Sequence, residues 1–184
     1  MKTIQLIQEN HYADYVKLIG SQLGEGYFTT ADFAQLTANP NALCFEAIDT
    51  DNNVLGVITS MILPYSEAID LLKISPENLP AYAKTATEIG IFKTIAISKN
   101  AQGQGIGSRL TKHLLEQLQQ RVSVVACVAW KYGETENIKG IMNAFEFKCY
   151  QEIPDYWVED TDFICPACGS PPCHCQANIY FKQI

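Results

Sequence analysis

Cationic side chains are scarce in this sequence. Its 184 residues include 13 Lys and Arg against 20 Asp and Glu, which gives a formal net charge of −7 at pH 7. Nucleic-acid binding depends on clustered cations that neutralise phosphates. The balance therefore argues against nucleic acid as a partner and favours a cationic small molecule or peptide, such as an amine.

Long apolar runs are also missing. No run approaches membrane-spanning length, and the N-terminal MKTIQLIQEN lacks the apolar core of a signal peptide. We therefore expect no membrane association and a cytoplasmic location, where thiols stay reduced. The seven cysteines are then expected as metal ligands or core residues before disulfides. With 47% apolar and 18% charged residues, the chain is expected to form one domain, 1–184.

A strand, a glycine-rich loop and a helix are predicted to follow one another in residues 89–118. Residues 89–97 form an apolar run rich in β-branched side chains, which predicts a buried strand. The next loop carries Gly103, Gly105 and Gly107, and leucines then recur every four residues from 110 to 118. Glycines let backbone amides turn toward one point, and a helix start adds free donors and a positive dipole end. The stretch therefore predicts a phosphate site.

The glycine spacing excludes two phosphate loops. The dinucleotide-binding fold needs G-x-G-x-x-G, and the nucleoside-triphosphate loop needs Gly-Lys-Ser/Thr, whereas Gly107 precedes Ser108 and Arg109. What remains, Gln102-x-x-Gly105-x-Gly107, resembles the Q/R-x-x-G-x-G/A loop of the GNAT superfamily of acyl-CoA-dependent N-acyltransferases. An ordinary glycine-rich turn is the alternative.

The resemblance covers residues 3–153 and implies an α/β fold. Its sheet would be mixed, mostly antiparallel and flanked by helices, with two central strands splayed apart. It implies acetyl-CoA as co-substrate, with the diphosphate on the loop and the pantetheine arm along the preceding strand. The coenzyme-binding residues that it implies are Ile95, Ala96, Ile97, Gln102, Gly103, Gln104, Gly105, Ile106, Gly107 and Ser108. Lys99, Arg109 and Lys112 either meet the phosphates or are solvated.

The other apolar patterns predict further elements. Strands are expected over 3–7, 41–49, 54–63, 122–130 and 177–184. Helices are expected over 11–19, 107–120 and 134–145, and between a cap at Thr30 and residue 39. Asn10 is expected to cap the first helix, with His11 on its surface. Residues 64–87, interrupted by three prolines, are predicted to form a lid or binding loop with one short helical stretch.

The catalytic residues of the family are not matched. Many members place a Glu about eleven residues before the Gln/Arg of the loop, where this sequence has Ile91. Many also place a Tyr four residues before a Gly-Phe pair, where it has Met142. Glu88, three residues before Ile91, is expected on the other face of the strand. Three tyrosines could substitute but are equally expected to pack: Tyr132, Tyr150 and Tyr156. Catalysis by positioning alone is a further alternative, so no catalytic residue is assigned.

Four cysteines fall within eleven positions near the C-terminus. Two residues separate Cys165 from Cys168, which precedes Gly169. One residue separates Cys173 from Cys175, so their side chains share a face of an extended segment. This spacing is typical of a zinc knuckle, and we predict a structural Zn²⁺ bound by all four thiolates.

Disulfides are the alternative for these cysteines. His174 is expected to point away from the metal, although it could replace Cys173 as a ligand. The insertion, 163–177, lies outside the general family pattern. We expect the metal to staple it between the last two strands, because the free energy of zinc binding becomes folding free energy.

The acceptor end is the least defined part of the sequence. Residues 152–162 carry five carboxylates and no cation. They form either a solvated loop or an acidic rim, with Tyr156 and Trp157 as aromatic walls that attract a protonated amine. Tyr27 and Phe28 either line the same site or fix their loop to the core.

The resemblance to the GNAT superfamily implies that the protein is an N-acetyltransferase. It would transfer an acetyl group from acetyl-CoA to a primary amine of a small molecule or peptide. The alternative is a non-catalytic module on the same scaffold that binds CoA, or a protein partner through the zinc region. A homodimer is left open.

Overall fold

The computed structural model describes residues 2–184. Seven strands follow in chain order: β1 (Thr3–Leu6), β2 (Ala42–Ile48), β3 (Val54–Pro64), β4 (Glu88–Ile97), β5 (Val124–Lys131), β6 (Lys148–Ile153) and β7 (Gln176–Gln183). Five α-helices accompany them: α1 (Tyr12–Leu23), α2 (Thr30–Ala38), α3 (Tyr65–Leu72), α4 (Ile106–Leu118) and α5 (Lys139–Ala144). No described helix is long and apolar enough to cross a bilayer.

The strands form one mixed sheet in the order β1-β2-β3-β4-β5-β7-β6. Every neighbouring pair is antiparallel except β4 and β5, which are parallel. The expected mostly antiparallel α/β fold is thereby confirmed. The β4–β5 ladder contains three pairs, Gly90–Val125, Ile91–Ala126 and Phe92–Cys127. Beyond Phe92 the two strands diverge, as expected for splayed central strands.

The two faces of the sheet bury different partners. Phe92, Val125 and Cys127 share one core cluster with the leucines of α4. The alternate residues of the same strands, such as Ile91 and Ala126, share a second cluster with α3 and the cysteine-rich insertion. Because side chains alternate along a strand, α4 and the insertion cover opposite faces of the sheet.

Residues 64–87 differ from the lid or binding loop that the prolines suggested. Ala68, Leu72 and Ala83 are fully buried, in the same cluster as Ile89 of β4 and Phe181 of β7. The segment is therefore a cover for one face of the sheet. Its apolar residues are separated by irregular turns, so hydrophobic periodicity could not predict this role.

The start of α1 also differs from expectation. His11 is only 5% exposed, and its Nδ1 lies 2.8 Å from Oε2 of Glu46, a fully buried residue of β2. The hydroxyl of Tyr15 donates to the same oxygen. A buried carboxylate requires such partners, so His11 is drawn into the core. A 3₁₀ turn over Glu9–His11 precedes the helix, and Asn10 is not its cap.

The predicted helix over 134–145 is shorter in the structure. α5 spans Lys139–Ala144. The backbones of Tyr132 and Thr135 exchange hydrogen bonds of 3.0 and 2.9 Å, and Gly133 takes φ +54° between them. This turn uses residues that the apolar pattern assigned to the helix.

The N-terminus of α2 is closed by a reciprocal capping box. The Asp32 amide donates to Thr29 Oγ1 at 3.2 Å, and Asp32 Oδ2 accepts from the Thr29 amide at 2.7 Å. The cap is thus Thr29, one residue before the predicted Thr30. Both threonines fit the capping pattern, and the backbone conformation decides between them.

We expect Thr29→Ala to lower the free energy of unfolding by about 1 kcal/mol, because a helix amide loses its acceptor. Thr30→Ala is the matched control and should change it by less than about 0.5 kcal/mol. Urea denaturation followed by circular dichroism measures both. Equal losses in the two variants would contradict this assignment of the cap.

Candidate active-site cleft

A cleft of about 700 Å³ opens where β4 and β5 diverge. It passes through the sheet, so its lining comes from both faces. The glycine loop and the start of α4 line it on one face, and Trp157 and Phe163 line it together with Tyr27 of the α1–α2 connection. A cavity of this size, lined by both apolar and polar side chains, is typical of a small-molecule site.

The edge of β4 that faces β5 is open along the cleft. Ile95, Ala96 and Ile97 pair with β3 on their other side, whereas the β5 ladder stops at Phe92. The carbonyl of Ile97 accepts from the side-chain amides of Gln22, at 2.7 Å, and Gln102, at 3.1 Å. An extended ligand that displaces these two side-chain amides can pair with the whole edge as a further strand would.

The glycine loop leaves room for an anion at the mouth of the cleft. Gly103 and Gly105 adopt φ +72° and +74°, and a Cβ at either position would have no atom within 4 Å. Gly105 is the N-cap of α4 and supplies no side-chain cap, so the first-turn amides keep their donors for a ligand. The Gln102 amide instead bonds to the Ser98 carbonyl at 3.1 Å. The anion-binding amides therefore begin after Gln102.

Eight of the ten residues implied for coenzyme binding line the cleft. They are Ile95, Ile97, Gln102, Gly103, Gly105, Ile106, Gly107 and Ser108. Ala96 instead points into the core beside α1 and α2. The side chain of Gln104 turns away, accepting from Lys2 Nζ and donating to the Asn100 carbonyl. These two can contribute through the backbone.

Two of the three cations near the loop contact other groups. Arg109 donates to the Lys2 carbonyl at 3.1 Å, and Lys112 lies 3.8 Å from Glu116, one helical turn away. Lys99 lies in a 3₁₀ turn, and none of Lys99, Arg109 and Lys112 lines the cleft within residues 2–184. The arrangement favours solvated cations over phosphate ligands.

One cation that the sequence argument did not single out lies in the cleft. Lys93 is the extra residue of a bulge in β4, where the β3 register shifts between Thr59 and Ser60. Its Nζ lies 5.3 Å from the ring centroid of Phe28. Among the lining residues of the described chain, Lys93 alone carries a formal charge. The signal was a single charged residue inside the predicted strand, 89–97.

The alternative catalytic residues lie away from the cleft. Glu88 begins β4 and is exposed. Tyr132 is 52% exposed, Tyr150 packs edge-on against Phe181, and the Tyr156 hydroxyl donates to the Leu71 carbonyl. Within residues 2–184, none of these four lines the cleft.

Tyr27 is the tyrosine that lines the cleft. Its ring contacts both Phe28 and Phe163, with centroids 5.6 Å apart in each case. Burial raises the pKa of its hydroxyl above the ordinary value of 10.0, so the group keeps its proton at neutral pH. Phe28 is only 4% exposed and packs in the core with Phe33 of α2. Of the two roles expected for these aromatic residues, Tyr27 therefore lines the site and Phe28 fixes the loop to the core.

The four cysteines of the insertion form a compact group of sulfurs. All four Sγ atoms lie within 4.8 Å of one another, and Cys175 Sγ lies 3.6 Å from Cys165 and 3.5 Å from Cys168. Four thiolates about 2.3 Å from a tetrahedral ion would be about 3.8 Å apart. The Cys168 amide points to Cys165 Sγ at 3.4 Å. The donor set and spacing therefore fit a closed zinc site.

His174 lies outside this group. Its Nδ1 is 2.9 Å from Oδ1 of Asp155, and both side chains are more than half exposed. Cys173, the ligand it would have replaced, is buried with the other sulfurs.

Known proteins share the family profile and the fold of this chain. The profile of the acetyltransferase (GNAT) family matches residues 9–139. A search of curated proteins by sequence finds no match. Similar solved structures include NAA60 from Arabidopsis thaliana in complex with acetyl-CoA, with a TM-score of 0.75 and 10% identity over 100% of this chain and 99% of that one.

Two further structures have the same fold. Naa20 from Chaetomium thermophilum, in complex with a bisubstrate analogue, aligns with a TM-score of 0.69 and 17% identity over 99% of this chain and 86% of that one. The ribosomal-protein-S18-alanine N-acetyltransferase from Escherichia coli aligns with a TM-score of 0.68 and 14% identity over 100% and 94%. At these identities the likeness establishes the fold.

We expect Cys127 to be inert although it lines the cleft. Burial, and secondly the charge of Glu136, raise the pKa of the Cys127 thiol to about 12, so the reactive thiolate is scarce at pH 8. Iodoacetamide should alkylate the exposed Cys149 of the folded protein and leave Cys127 unmodified, as read by peptide mass spectrometry. Both should react in urea. Alkylation of Cys127 at the rate of Cys149 in the folded protein would contradict the expectation.

Proposed function

Because this chain belongs to the acetyltransferase (GNAT) family and is an acetyl-CoA-dependent acyltransferase, we propose that it acetylates a primary amine of a small molecule or peptide. The observation that carries the proposal is the cleft between β4 and β5, with an open strand edge along it and a glycine loop at its mouth. The strand edge can pair with an amide-containing arm, and the glycine loop can bind a diphosphate.

We infer a binding mode for the coenzyme from these two features. The diphosphate lies over Gly103–Ser108, where first-turn amides and the positive end of the α4 dipole favour negative charge. The pantetheine arm follows the open edge of Ile95–Ile97 into the sheet. This places the thioester near the β4 bulge at Lys93. No side-chain cation is needed at the phosphates in this arrangement.

The reaction itself requires a neutral amine. Its nitrogen attacks the thioester carbonyl, the C–S bond breaks, and the coenzyme leaves as a thiolate that takes up a proton. No carboxylate lines the cleft within residues 2–184, so water is the base for the ammonium proton. Lys93 assists, because a nearby positive charge lowers the pKa of the amine. The protonated hydroxyl of Tyr27 can donate a hydrogen bond to the thiolate, which takes its proton from water.

The acceptor is proposed to be cationic in solution. Glu25, Asp160 and Asp162 are exposed beside the aromatic residues that line the cleft, and the protein carries a net charge of −7. Such a field attracts a protonated amine toward the mouth. One structural neighbour is a ribosomal-protein-S18-alanine N-acetyltransferase, which is consistent with a protein or peptide acceptor.

We also propose that Zn²⁺ occupies the four-cysteine site of residues 163–177. The support is the all-thiolate donor set with near-tetrahedral spacing. Such a site has no open position, so the ion would stabilise the fold without contacting substrate. We further propose that residues 1–184 form one domain and that the protein is cytoplasmic, where reducing conditions keep the thiols available to bind the metal.

The test of function is turnover. Purified protein is mixed with acetyl-CoA and a panel that contains a polyamine, an arylalkylamine and peptides with free N-termini, and CoA release is followed by chromatography. We expect amine-dependent release with at least one class. Tight acetyl-CoA binding without turnover across the panel would contradict the proposal and favour a non-catalytic CoA-binding module.

We expect Gly105→Ala to weaken acetyl-CoA binding by at least about tenfold, because its methyl group would project into the open space assigned to the diphosphate. Calorimetry measures the dissociation constant. Gly133→Ala is the matched control: Gly133 is also left-handed, at φ +54°, with open space around its Cβ, but it lies outside the cleft. It should share the backbone strain and keep its affinity within about twofold. Equal affinities in the two variants would refute the assigned phosphate site.

A further inference from the structure

The cysteine-rich insertion is joined to the α1–α2 loop, defined here as residues 24–29. The Ile164 amide, one residue before Cys165, donates to the Glu25 carbonyl at 2.9 Å. The two residues form an antiparallel bridge. A segment adjoining the metal ligands is therefore hydrogen-bonded to a loop more than a hundred residues earlier in the chain.

Glycines make this contact a backbone-to-backbone one. A Cβ on Gly24 would lie 2.3 Å from the Ile164 carbonyl oxygen, and one on Gly26 would lie 2.5 Å from that of Asp162. No side chain fits at those distances, and both glycines also adopt positive φ, +122° and +87°. The approach therefore requires glycine at both positions.

The same contact builds one wall of the cleft. Phe163 lies between Asp162 and Ile164 and meets Tyr27 edge-on, with ring centroids 5.6 Å apart. Phe163 and Trp157 are 9% and 7% exposed, and both belong to the core cluster that contains the buried cysteines. We define Tyr27, Trp157 and Phe163 as the aromatic wall. It lies on the face opposite α4, which makes it the acceptor end of the cleft.

The chain between β6 and β7 has no regular secondary structure. Residues 154–175 contain turns and isolated bridges but no helix or strand. Ordering such a segment costs about 1–2 kcal/mol per residue in backbone entropy. Four thiolates gathered on one ion can offset much of that cost, since the free energy of metal binding becomes folding free energy.

We propose that the metal determines which acceptor the protein recognises. It fixes the aromatic wall, so the acceptor end of the cleft is assembled only in the metal-loaded protein. The coenzyme end, built by β4 and α4, is independent of the metal. This inference rests on the proposed function only in calling that end the acceptor site. Loss of the metal should therefore affect the two substrates differently: the affinity for acetyl-CoA is kept, and recognition of the acceptor is lost.

Hydrogen–deuterium exchange tests this directly. Zinc content of the purified protein is measured first, and exchange is then compared with and without a high-affinity zinc chelator. We expect one zinc per chain, and exchange at least about tenfold faster in 24–29 and 154–175 after its removal. Exchange in 102–108 and in β4 and β5 should be unchanged, and the acetyl-CoA dissociation constant should stay within about twofold. With any amine that supports turnover, KM for the amine should rise at least about tenfold.

Three variants sharpen the test. Cys168→Ser should reproduce the effect of the chelator, and Cys149→Ser, an exposed cysteine outside the group, should not. Gly26→Ala breaks the contact from the other side, so it should release 24–29 while one zinc stays bound.

Several results would overturn the inference. They are protein without stoichiometric zinc, continued protection of 24–29 after chelation, and loss of protection throughout β4 and β5, which would make the metal a requirement of the whole fold. Failure to bind acetyl-CoA would instead refute the proposed function, and the exchange result stands apart from it.

Discussion

The divergence of β4 and β5 after three residue pairs is the constraint on which the rest of the molecule depends. Parallel strands that stay paired leave no space between them, whereas these open a cleft through the middle of the sheet. The bulge at Lys93 lies where the separation begins. Because β4 leads directly into the glycine loop and α4, the strand edge and the anion site keep a fixed relation.

The two ends of this cleft have different origins in the chain. The coenzyme end comes from residues within the 9–139 match to the family. The acceptor end takes Trp157 and Phe163 from beyond that match. The family match therefore covers the part of the cleft that we assign to the acetyl donor, and it leaves two aromatic residues of the assigned acceptor end outside it.

Local patterns predicted the local features. The strand, glycine loop and helix of residues 89–118 were visible because each depends on neighbours in sequence, and the cysteine spacing had the same property. His11 could not be placed, because the carboxylate that buries it, Glu46, is supplied by another element. Lys93 was missed because a bulge, which no periodicity reveals, directs it into the cleft. The role of 64–87 depends on a sheet face that is complete only when the distant strand β7 is in place.

The position of β7 has a consequence for synthesis on the ribosome. β7 follows every other described element in the chain, yet it lies between β5 and β6, and its residues pair with both strands. Until it emerges from the exit tunnel, the nascent chain presents the edge of β5 and its apolar residues, such as Val124 and Ala126, without their final neighbour. Unpaired edges of this kind invite association with other chains. The growing polypeptide thus passes through a state with an unpaired strand edge of the kind that chaperones recognise, and the sheet is complete only once β7 is available.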